Sequence, residues 1–144
     1  IQIFISGGSS ATEKSYSDYF DSQNWGQTVL NLMGKTSIRE MASLIKLSDF
    51  VISPDSGPAH IATIMGKPVI GIYAMSNPDR SGPYNSRARV ANRYPEALLR
   101  YNKKSVKESK WGKKIKDPAA MELVEISDVV EKVKELIEFL KDKS

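Results

Sequence analysis

Two short apolar runs on either side of a helical pattern constrain the fold of this chain more than any other feature. Residues 50–52 read Phe-Val-Ile, residues 69–73 read Val-Ile-Gly-Ile-Tyr, and the segment between them from Ala59 to Met65 is apolar and helix-like. Short β-branched runs that alternate with helices are typical of parallel sheets with helices on both faces. We therefore predict an α/β fold built on a parallel sheet with helices on both faces.

The turn between the first run and the helix carries the residues with the clearest chemical potential. Asp55, Ser56 and Gly57 follow the run, and His60 falls in the first turn of the helix. Ligands of such sheets bind outside the carboxyl ends of the strands, and a helix N-terminus attracts phosphate. Asp, Ser and Gly before a helix are also ordinary turn and capping residues. Spacing alone leaves a phosphate or nucleotide-sugar site and a structural turn both open.

Two further loops are expected at the carboxyl ends of strands. Gly7 and Gly8 follow an N-terminal apolar run, and Met33, Gly34 and Lys35 follow a second one. Glycine tolerates positive φ and lets the backbone approach a ligand closely. The Gly-Gly pair does not match the G-x-G-x-x-G dinucleotide fingerprint, and the sequence contains no P-loop pattern. Both loops could contact a ligand, and a tight turn without ligand is the alternative.

Two helices outside the central stretch are predicted from local patterns. Tyr16, Tyr19 and Phe20 have the i, i+3, i+4 spacing of a buried helical face. Ser37 followed three residues later by Glu40 matches a capping box, which marks the start of a helix. We interpret both helices as structural.

The positive charge of the chain is concentrated in one segment. The net charge is +4, but residues 86–116 hold eleven Lys or Arg against two Glu, so this segment is +9 and the remainder is −5. Its periodicity is weak, which indicates an irregular segment over the surface. A local basic surface favours an anionic partner, and a solvated basic surface is the alternative.

Composition excludes several other classes of protein. The chain has no cysteine, so disulfides and thiolate metal sites are excluded. No apolar run approaches the roughly 18 residues of a membrane span, and no signal peptide is recognisable. The chain of 144 residues begins without Met inside an apolar run. We therefore expect a single domain, residues 1–144, cut from a longer protein.

Three separated motifs resemble glycosyltransferase family 9, the ADP-heptose:lipopolysaccharide heptosyltransferases. They are Asp-Ser-Gly-Pro-Ala-His-Ile-Ala at 55–62, Gly-Lys-Pro-Val at 66–69 and Asn-Pro-Asp-Arg-Ser-Gly-Pro-Tyr at 77–84. The stretch 32–40 is also similar, and the close resemblance covers residues 30–84. The chain departs at 73–78, where many members read F-G-P-T-D-P, and this leaves the base and sugar of the donor open.

The resemblance implies the C-terminal, nucleotide-sugar-binding domain of a two-domain GT-B enzyme, with a Rossmann-like parallel sheet. By this likeness Ser56 and Gly57 hold the diphosphate, His60 lies beside it, and Asp55 faces the hydroxyls of the donor sugar. The loops at Gly7-Gly8 and at residues 33–35 line the nucleoside pocket. The catalytic base belongs to the missing N-terminal domain, so no catalytic residue is expected here and the fragment alone should be inactive. Neither a metal nor a cofactor is implied.

The leading functional prediction is an inverting glycosyltransferase that moves a heptose or related sugar from a nucleotide diphosphate sugar, ADP-heptose by resemblance, to lipopolysaccharide core or a similar glycan. Its partners would be this donor, an anionic glycolipid acceptor and the N-terminal domain. It would be cytoplasmic, at the inner face of the bacterial inner membrane. A sugar-nucleotide epimerase is one alternative. A nucleotide- or nucleic-acid-binding module that uses the basic segment is another, although no nucleic-acid recognition motif is present.

Overall fold

A computed structural model describes residues 1–142, which form an α/β fold. Its helices and strands are, in chain order, β1 (Ile3–Ile5), α1 (Ala11–Ser22), β2 (Val29–Asn31), α2 (Ile38–Leu47), β3 (Val51–Pro54), α3 (Gly57–Ile64), β4 (Val69–Tyr73), α4 (Pro78–Ser81), β5 (Val90–Asn92), α5 (Tyr94–Asn102) and α6 (Ile126–Lys141). Two 3₁₀ segments, Tyr84–Arg89 and Pro118–Leu123, complete the order. All strand pairs are parallel and helices lie on both sides, which confirms the predicted fold class.

The chain divides into two compact units, of which the first is Ile1–Leu44. In it β1 and β2 pair in parallel, with Ile3 opposite Val29. None of residues 1–44 is buried, and Tyr16 and Tyr19 of α1 are 58% and 59% exposed. The prediction that these tyrosines belong to a buried face was wrong, because a sheet of two three-residue strands is too small to cover the apolar face of α1.

The second unit begins at Ile45 and contains a three-stranded parallel sheet in the order β3-β4-β5. Val51 lies opposite Val69, and Tyr73 lies opposite Asn92. The central strand β4 is buried at Val69, Ile70 and Tyr73, as expected for a strand covered on both faces. The two apolar runs therefore form neighbouring strands, with α3 as the connection between them.

The Gly-Lys-Pro motif ends α3 and turns the chain into β4. Gly66 has φ +70°, and its N–H donates to the carbonyl of Thr63 at 3.1 Å. The N–H of Lys67 donates to the carbonyl of Ala62 at 2.9 Å. This pair of bonds is a Schellman motif, which favours glycine at the left-handed position, and Pro68 prevents the helix from continuing. The role of this motif is therefore structural.

The interpretation of residues 86–116 as irregular was wrong over its first half. This segment contains β5 and α5, in which Tyr94, Ala97 and Leu98 are buried. Basic side chains lie between these apolar ones in the sequence. The helical spacing of the apolar residues was therefore not recognised from the sequence. The second half of the segment, residues 103–116, has neither helix nor strand, and we call it the lysine loop.

The lysine loop is attached to the second unit by a few specific contacts. Ile115 is buried, and its N–H donates to the carbonyl of Met75 at 2.8 Å. The buried Tyr94 donates its phenolic O–H to the carbonyl of Lys113 at 2.7 Å. All seven lysines of the loop are exposed, so the loop presents a basic surface on a fixed support.

The final helix is held at its start by an arginine from another element. Glu125 and Asp128 form a capping box at the beginning of α6, and Arg93 donates to both oxygens of Asp128 at 2.8 and 2.7 Å. The Arg93 guanidinium, followed by the N–H of Glu125, lowers the pKa of Asp128. α6 packs on β4 and β5. No helix within residues 1–142 is long and apolar enough to cross a membrane.

Candidate functional site

The turn between β3 and α3 places Ser56 at the N-cap of the helix. Ser56 has extended backbone angles, φ −152° and ψ 166°, and its side chain makes no capping hydrogen bond. Its hydroxyl lies 2.8 Å from that of Ser53, which donates to the carbonyl of Pro54 at 3.1 Å. The first N–H groups of a helix have no intrahelical acceptor. The start of α3 therefore offers donors and a positive dipole end to an anion.

Gly57 is the first residue of α3, and the space in front of it is open. A Cβ built on Gly57 would meet no described atom within 4 Å other than its chain neighbours and the backbone of its own helix. Pro58 follows in the first turn, where its missing N–H costs no helical hydrogen bond. A side chain at position 57 would occupy the space from which an anion could reach the start of α3.

Asp55 is held in place by a serine from the third sequence motif. The hydroxyl of Ser81 donates to Oδ2 of Asp55 at 2.8 Å. The other oxygen, Oδ1, lies 3.8 Å from Nε2 of His60, and the His60 side chain is 53% exposed against 19% for Asp55. The structure therefore brings Asp55, Ser56, Gly57 and His60 together around one turn, as the sequence predicted.

Tyr73 supports this turn from inside the second unit. It is buried at the end of β4, and its phenolic O–H donates to the carbonyl of Ser81 at 3.0 Å. Burial, followed by the negative charge of Asp55, raises the pKa of Tyr73 to about 12. The phenol therefore remains a neutral donor throughout the physiological pH range.

We expect the stabilising effect of Tyr73 to disappear in alkali. At pH 8, Tyr73→Phe should be less stable than the original chain by about 1 kcal/mol, because the hydrogen bond to Ser81 is lost. The folded pKa lies above the unfolded value of 10.0, so the unfolded chain loses its proton first as the pH rises. By pH 11 this lowers the free energy of unfolding of the original chain by about 1.4 kcal/mol relative to the variant. The difference in stability between the two chains therefore disappears.

Urea unfolding of the Tyr73→Phe variant and the original chain at pH 8 and pH 11 measures this difference directly. Tyr84→Phe is the matched control because Tyr84 is 75% exposed, and its effect should be close to zero at both pH values. A gap for Tyr73→Phe that stays constant with pH would contradict the prediction.

The five candidate residues of the first unit also lie together. The N–H of Gly34 donates to the carbonyl of Gly7 at 3.1 Å, and a Cβ on Gly7 would lie 3.3 Å from Cγ of Met33. Gly34 has φ +67°, which explains the glycine. The ammonium of Lys35 donates to the carbonyl of Asn31 at 3.1 Å. These contacts join the two loops into one surface at the carboxyl ends of β1 and β2.

Glu13 occupies the N–H of Gly8, the second residue of the glycine pair, and was not a candidate from the sequence. Its carboxylate accepts from the N–H of Gly8 at 2.6 Å and from the N–H and hydroxyl of Ser10. The Ser10 hydroxyl, followed by the N–H groups of Gly8 and Ser10, lowers the pKa of Glu13. The signal in the sequence is Ser10 with Glu13 three residues on, which is a capping box.

The candidate residues therefore fall into two groups, one in each compact unit, and each group is contiguous within its unit. Their assignment to a donor site stays a prediction. Ser53, Tyr73 and Ser81, which support the turn at Asp55, were missed because hydroxyl groups in buried strands or short helices have no distinctive pattern. Residues 1–142 contain no group of three or more His, Asp or Glu side chains arranged to hold a metal ion.

Comparison with protein families gives one match that covers most of the chain. The family model described as glycosyltransferase family 9 (heptosyltransferase) matches residues 1–111. The match includes all nine candidate residues and the three motifs. It ends inside the lysine loop, so Lys113, Lys114 and Lys116 lie beyond it.

Curated relatives show the same similarity. The chain is 41% identical over 109 residues to the lipopolysaccharide core heptosyltransferase OpsX of Haemophilus influenzae, which covers 76% of this chain and 31% of that protein. It is 31% identical over 74 residues to lipooligosaccharide heptosyltransferase 2 of Haemophilus influenzae, covering 51% and 21%. It is 33% identical over 60 residues to lipopolysaccharide heptosyltransferase 2 of Salmonella typhimurium, covering 42% and 17%. The matched region spans about a third or less of these relatives. No solved structure matches the chain significantly.

Proposed function

Because the chain belongs to glycosyltransferase family 9, we propose that it is the nucleotide-sugar-binding part of an inverting glycosyltransferase. The enzyme transfers a heptose from a nucleotide diphosphate sugar, with ADP-heptose as the proposed donor, to lipopolysaccharide core or a similar bacterial glycan. A second, N-terminal domain completes the enzyme in this proposal. The enzyme works in the cytoplasm at the inner face of the inner membrane.

The observation that carries the proposal is the open start of α3. No Ser56 side-chain cap occupies its first N–H groups, and a Cβ on Gly57 would meet no atom of residues 1–142 within 4 Å outside its own turn. We assign the diphosphate to this position. His60, in the first turn of α3, donates to it, and Asp55 accepts from hydroxyls of the donor sugar.

Within the first unit, the two glycine loops are proposed as nucleoside contacts. The loop at Gly7 and Gly8 and the loop at residues 33–35 are hydrogen-bonded to each other. Their glycines have no side chain, so a ligand can approach the backbone of both loops closely. Because Glu13 already accepts from the N–H of Gly8, that donor is not free for phosphate. This favours the nucleoside rather than the diphosphate for these loops.

The proposed reaction needs little covalent chemistry from this part of the protein. An acceptor hydroxyl attacks the anomeric carbon of the sugar, the bond to the diphosphate oxygen breaks, and its electron pair leaves with the diphosphate. The acceptor proton goes to a base in the N-terminal domain. The N–H groups at the start of α3 stabilise the charge that develops on the diphosphate. The scheme requires neither a metal nor a cofactor.

The lysine loop supports an anionic glycolipid as the acceptor. It carries seven lysines against one glutamate in fourteen residues, and all seven lysines are exposed. None of the ion pairs among residues 1–142 involves these lysines. An exposed basic surface raises the encounter rate with an anionic partner in a salt-dependent way.

Calorimetric titration with ADP, ADP-heptose, UDP and UDP-N-acetylglucosamine tests the proposal. We expect the two adenine ligands to bind and the two uridine ligands to bind more weakly. Preference for the uridine ligands would indicate a different sugar transferase or an epimerase. Absence of binding for all four ligands would contradict a donor-binding role for this chain.

We expect His60→Ala to weaken diphosphate ligands selectively. A hydrogen bond to a charged group is worth about 1.5–3 kcal/mol, so the affinity for ADP should fall by a factor between about 10 and about 150. The affinity for adenosine should not change. Lys67→Ala, at the other end of α3, is the control and should leave both affinities unchanged. Equal losses for ADP and adenosine would make His60 a structural residue.

A further inference from the structure

We propose that Ser81 is a positioning residue, which holds the carboxylate of Asp55 in the orientation that receives the hydroxyls of the donor sugar. The inference deepens the proposed function and rests on it for the identity of the ligand. Ser81 lies in the motif at 77–84, and neither the sequence patterns nor the comparisons give it a role. Its hydroxyl reaches Asp55 across 26 positions of the chain.

The hydrogen bond from Ser81 distinguishes the two oxygens of the carboxylate. Oδ2 accepts from the Ser81 hydroxyl at 2.8 Å. Oδ1 is 3.8 Å from Nε2 of His60, which is beyond hydrogen-bond distance. A charged acceptor makes the bond to Oδ2 stronger than one between neutral groups. Oδ1 is therefore the oxygen that remains to accept a hydroxyl from a ligand.

Ser81 can position Asp55 because its own backbone is fixed. Its carbonyl accepts from the buried phenol of Tyr73 at 3.0 Å. The short helix α4 that carries Ser81 is capped by the side chain of Asn77 and closed by the bond from the N–H of Gly82 to the carbonyl of Pro78 at 2.8 Å. The hydroxyl has a second acceptor, the carbonyl of Asn77, only at the longer distance of 3.4 Å. The support is therefore rigid and directed at Asp55.

Removal of the hydroxyl should free the Asp55 side chain to rotate. A side chain with one fixed rotamer binds without the entropic cost of ordering it. Without Ser81, Asp55 can also turn towards His60, which would remove both groups from their ligands. The variant should therefore lose affinity for the sugar of the donor rather than for its nucleotide.

Calorimetry of Ser81→Ala and Ser81→Thr with ADP and ADP-heptose tests the role. Ser81→Ala should lower the affinity for ADP-heptose about tenfold relative to ADP, and Ser81→Thr, which keeps the hydroxyl, should restore the ratio. Ser105→Ala is the matched control, since Ser105 also donates to a carboxylate, that of Glu108. Equal losses for both ligands, or no rescue by threonine, would overturn the proposal.

A measurement without ligand separates this inference from the proposed function. Scalar couplings of the Asp55 side chain in NMR spectra should indicate one rotamer in the original chain and in Ser81→Thr, but an average of rotamers in Ser81→Ala. The amide spectrum of Ser81→Ala shows whether the fold is retained. Unchanged couplings in Ser81→Ala would overturn the positioning role, even if nucleotides bind. Failure of all four nucleotides to bind, with the couplings changed as expected, would contradict the proposed function only.

Discussion

Replacing Gly57 with valine is expected to lower the affinity for ADP at least about 100-fold. The substituted side chain would fill the open space at the start of α3, where no described atom outside its own turn lies within 4 Å of a Cβ. If it displaces two hydrogen bonds to the diphosphate, each worth about 1.5 kcal/mol, the loss is about 3 kcal/mol. This corresponds to roughly two powers of ten in affinity, which calorimetric titration resolves.

The stability of the Gly57→Val variant should change much less than its affinity. Gly57 precedes Pro58, and a Cβ before proline is disfavoured in helical backbone, so we expect a cost of about 1 kcal/mol. Pro58→Ala in the Gly57→Val background removes this clash, and the double variant should regain stability while binding stays lost. Unchanged affinity in either variant would contradict the assignment of the diphosphate to this turn.

A glycine at the other end of the same helix should affect stability but not affinity when it is replaced. Gly66 has φ +70°, and a Cβ there meets no described atom within 4 Å outside its own turn. Gly66→Ala should therefore cost about 1 kcal/mol of stability through its left-handed backbone, and ADP affinity should not change. The two variants thus distinguish the roles of the two glycines: Gly57 leaves space for a ligand, whereas Gly66 ends the helix.

Gly82→Ala is expected to produce the largest loss of stability among the glycine variants. A Cβ on Gly82 would overlap the carbonyl oxygen of Pro78 and lie 3.1 Å from its carbonyl carbon. Both atoms belong to the backbone, so α4 must shift and the bond from the N–H of Gly82 to Pro78 must weaken. We expect a loss of roughly 2–3 kcal/mol, with a thermal midpoint lower by roughly 5–10 °C.

The same shift should move Ser81 away from Asp55. Gly82→Ala should therefore also weaken ADP-heptose more than ADP, in the manner of Ser81→Ala. Gly112→Ala is the matched control, because a Cβ there lies in ordinary contact, 3.6 Å from the guanidinium of Arg80. Its thermal midpoint should stay within about 2 °C of the original chain. Equal midpoints for the two variants would show that α4 accommodates a methyl group at position 82.

The parts of the fold that the sequence predicted well are those whose structure depends on residues close together in the chain. The run at 69–73 is β4 without change of bounds, because a strand buried on both faces is apolar at every position. Ser37 and Glu40 form the predicted capping box at the start of α2, because both partners lie within one turn. The family motifs were visible for the same reason, since each is a short contiguous string.

The predictions that failed required knowledge of what covers a given face. Tyr16 and Tyr19 have helical spacing but are exposed, since no element of their unit is large enough to bury them. Tyr94 and Leu98 lie in a highly basic segment but are buried, because α5 packs against the 3₁₀ segment 118–123. Amphipathic spacing shows which residues share a face, whereas burial depends on the rest of the structure.

Residue patterns were enough to predict the α/β class, the parallel strands around the central turn, and the chemical types of the residues at the start of α3. How Asp55 is held depends on contacts between elements that lie far apart in the chain. The pairing of β3 with β4 brings the carboxyl ends of these strands side by side, and Tyr73 and Ser81 then meet the turn that follows β3. Asp55 and Ser81 are 26 residues apart, and a hydrogen bond over that separation follows from strand packing, which no local pattern of residues encodes.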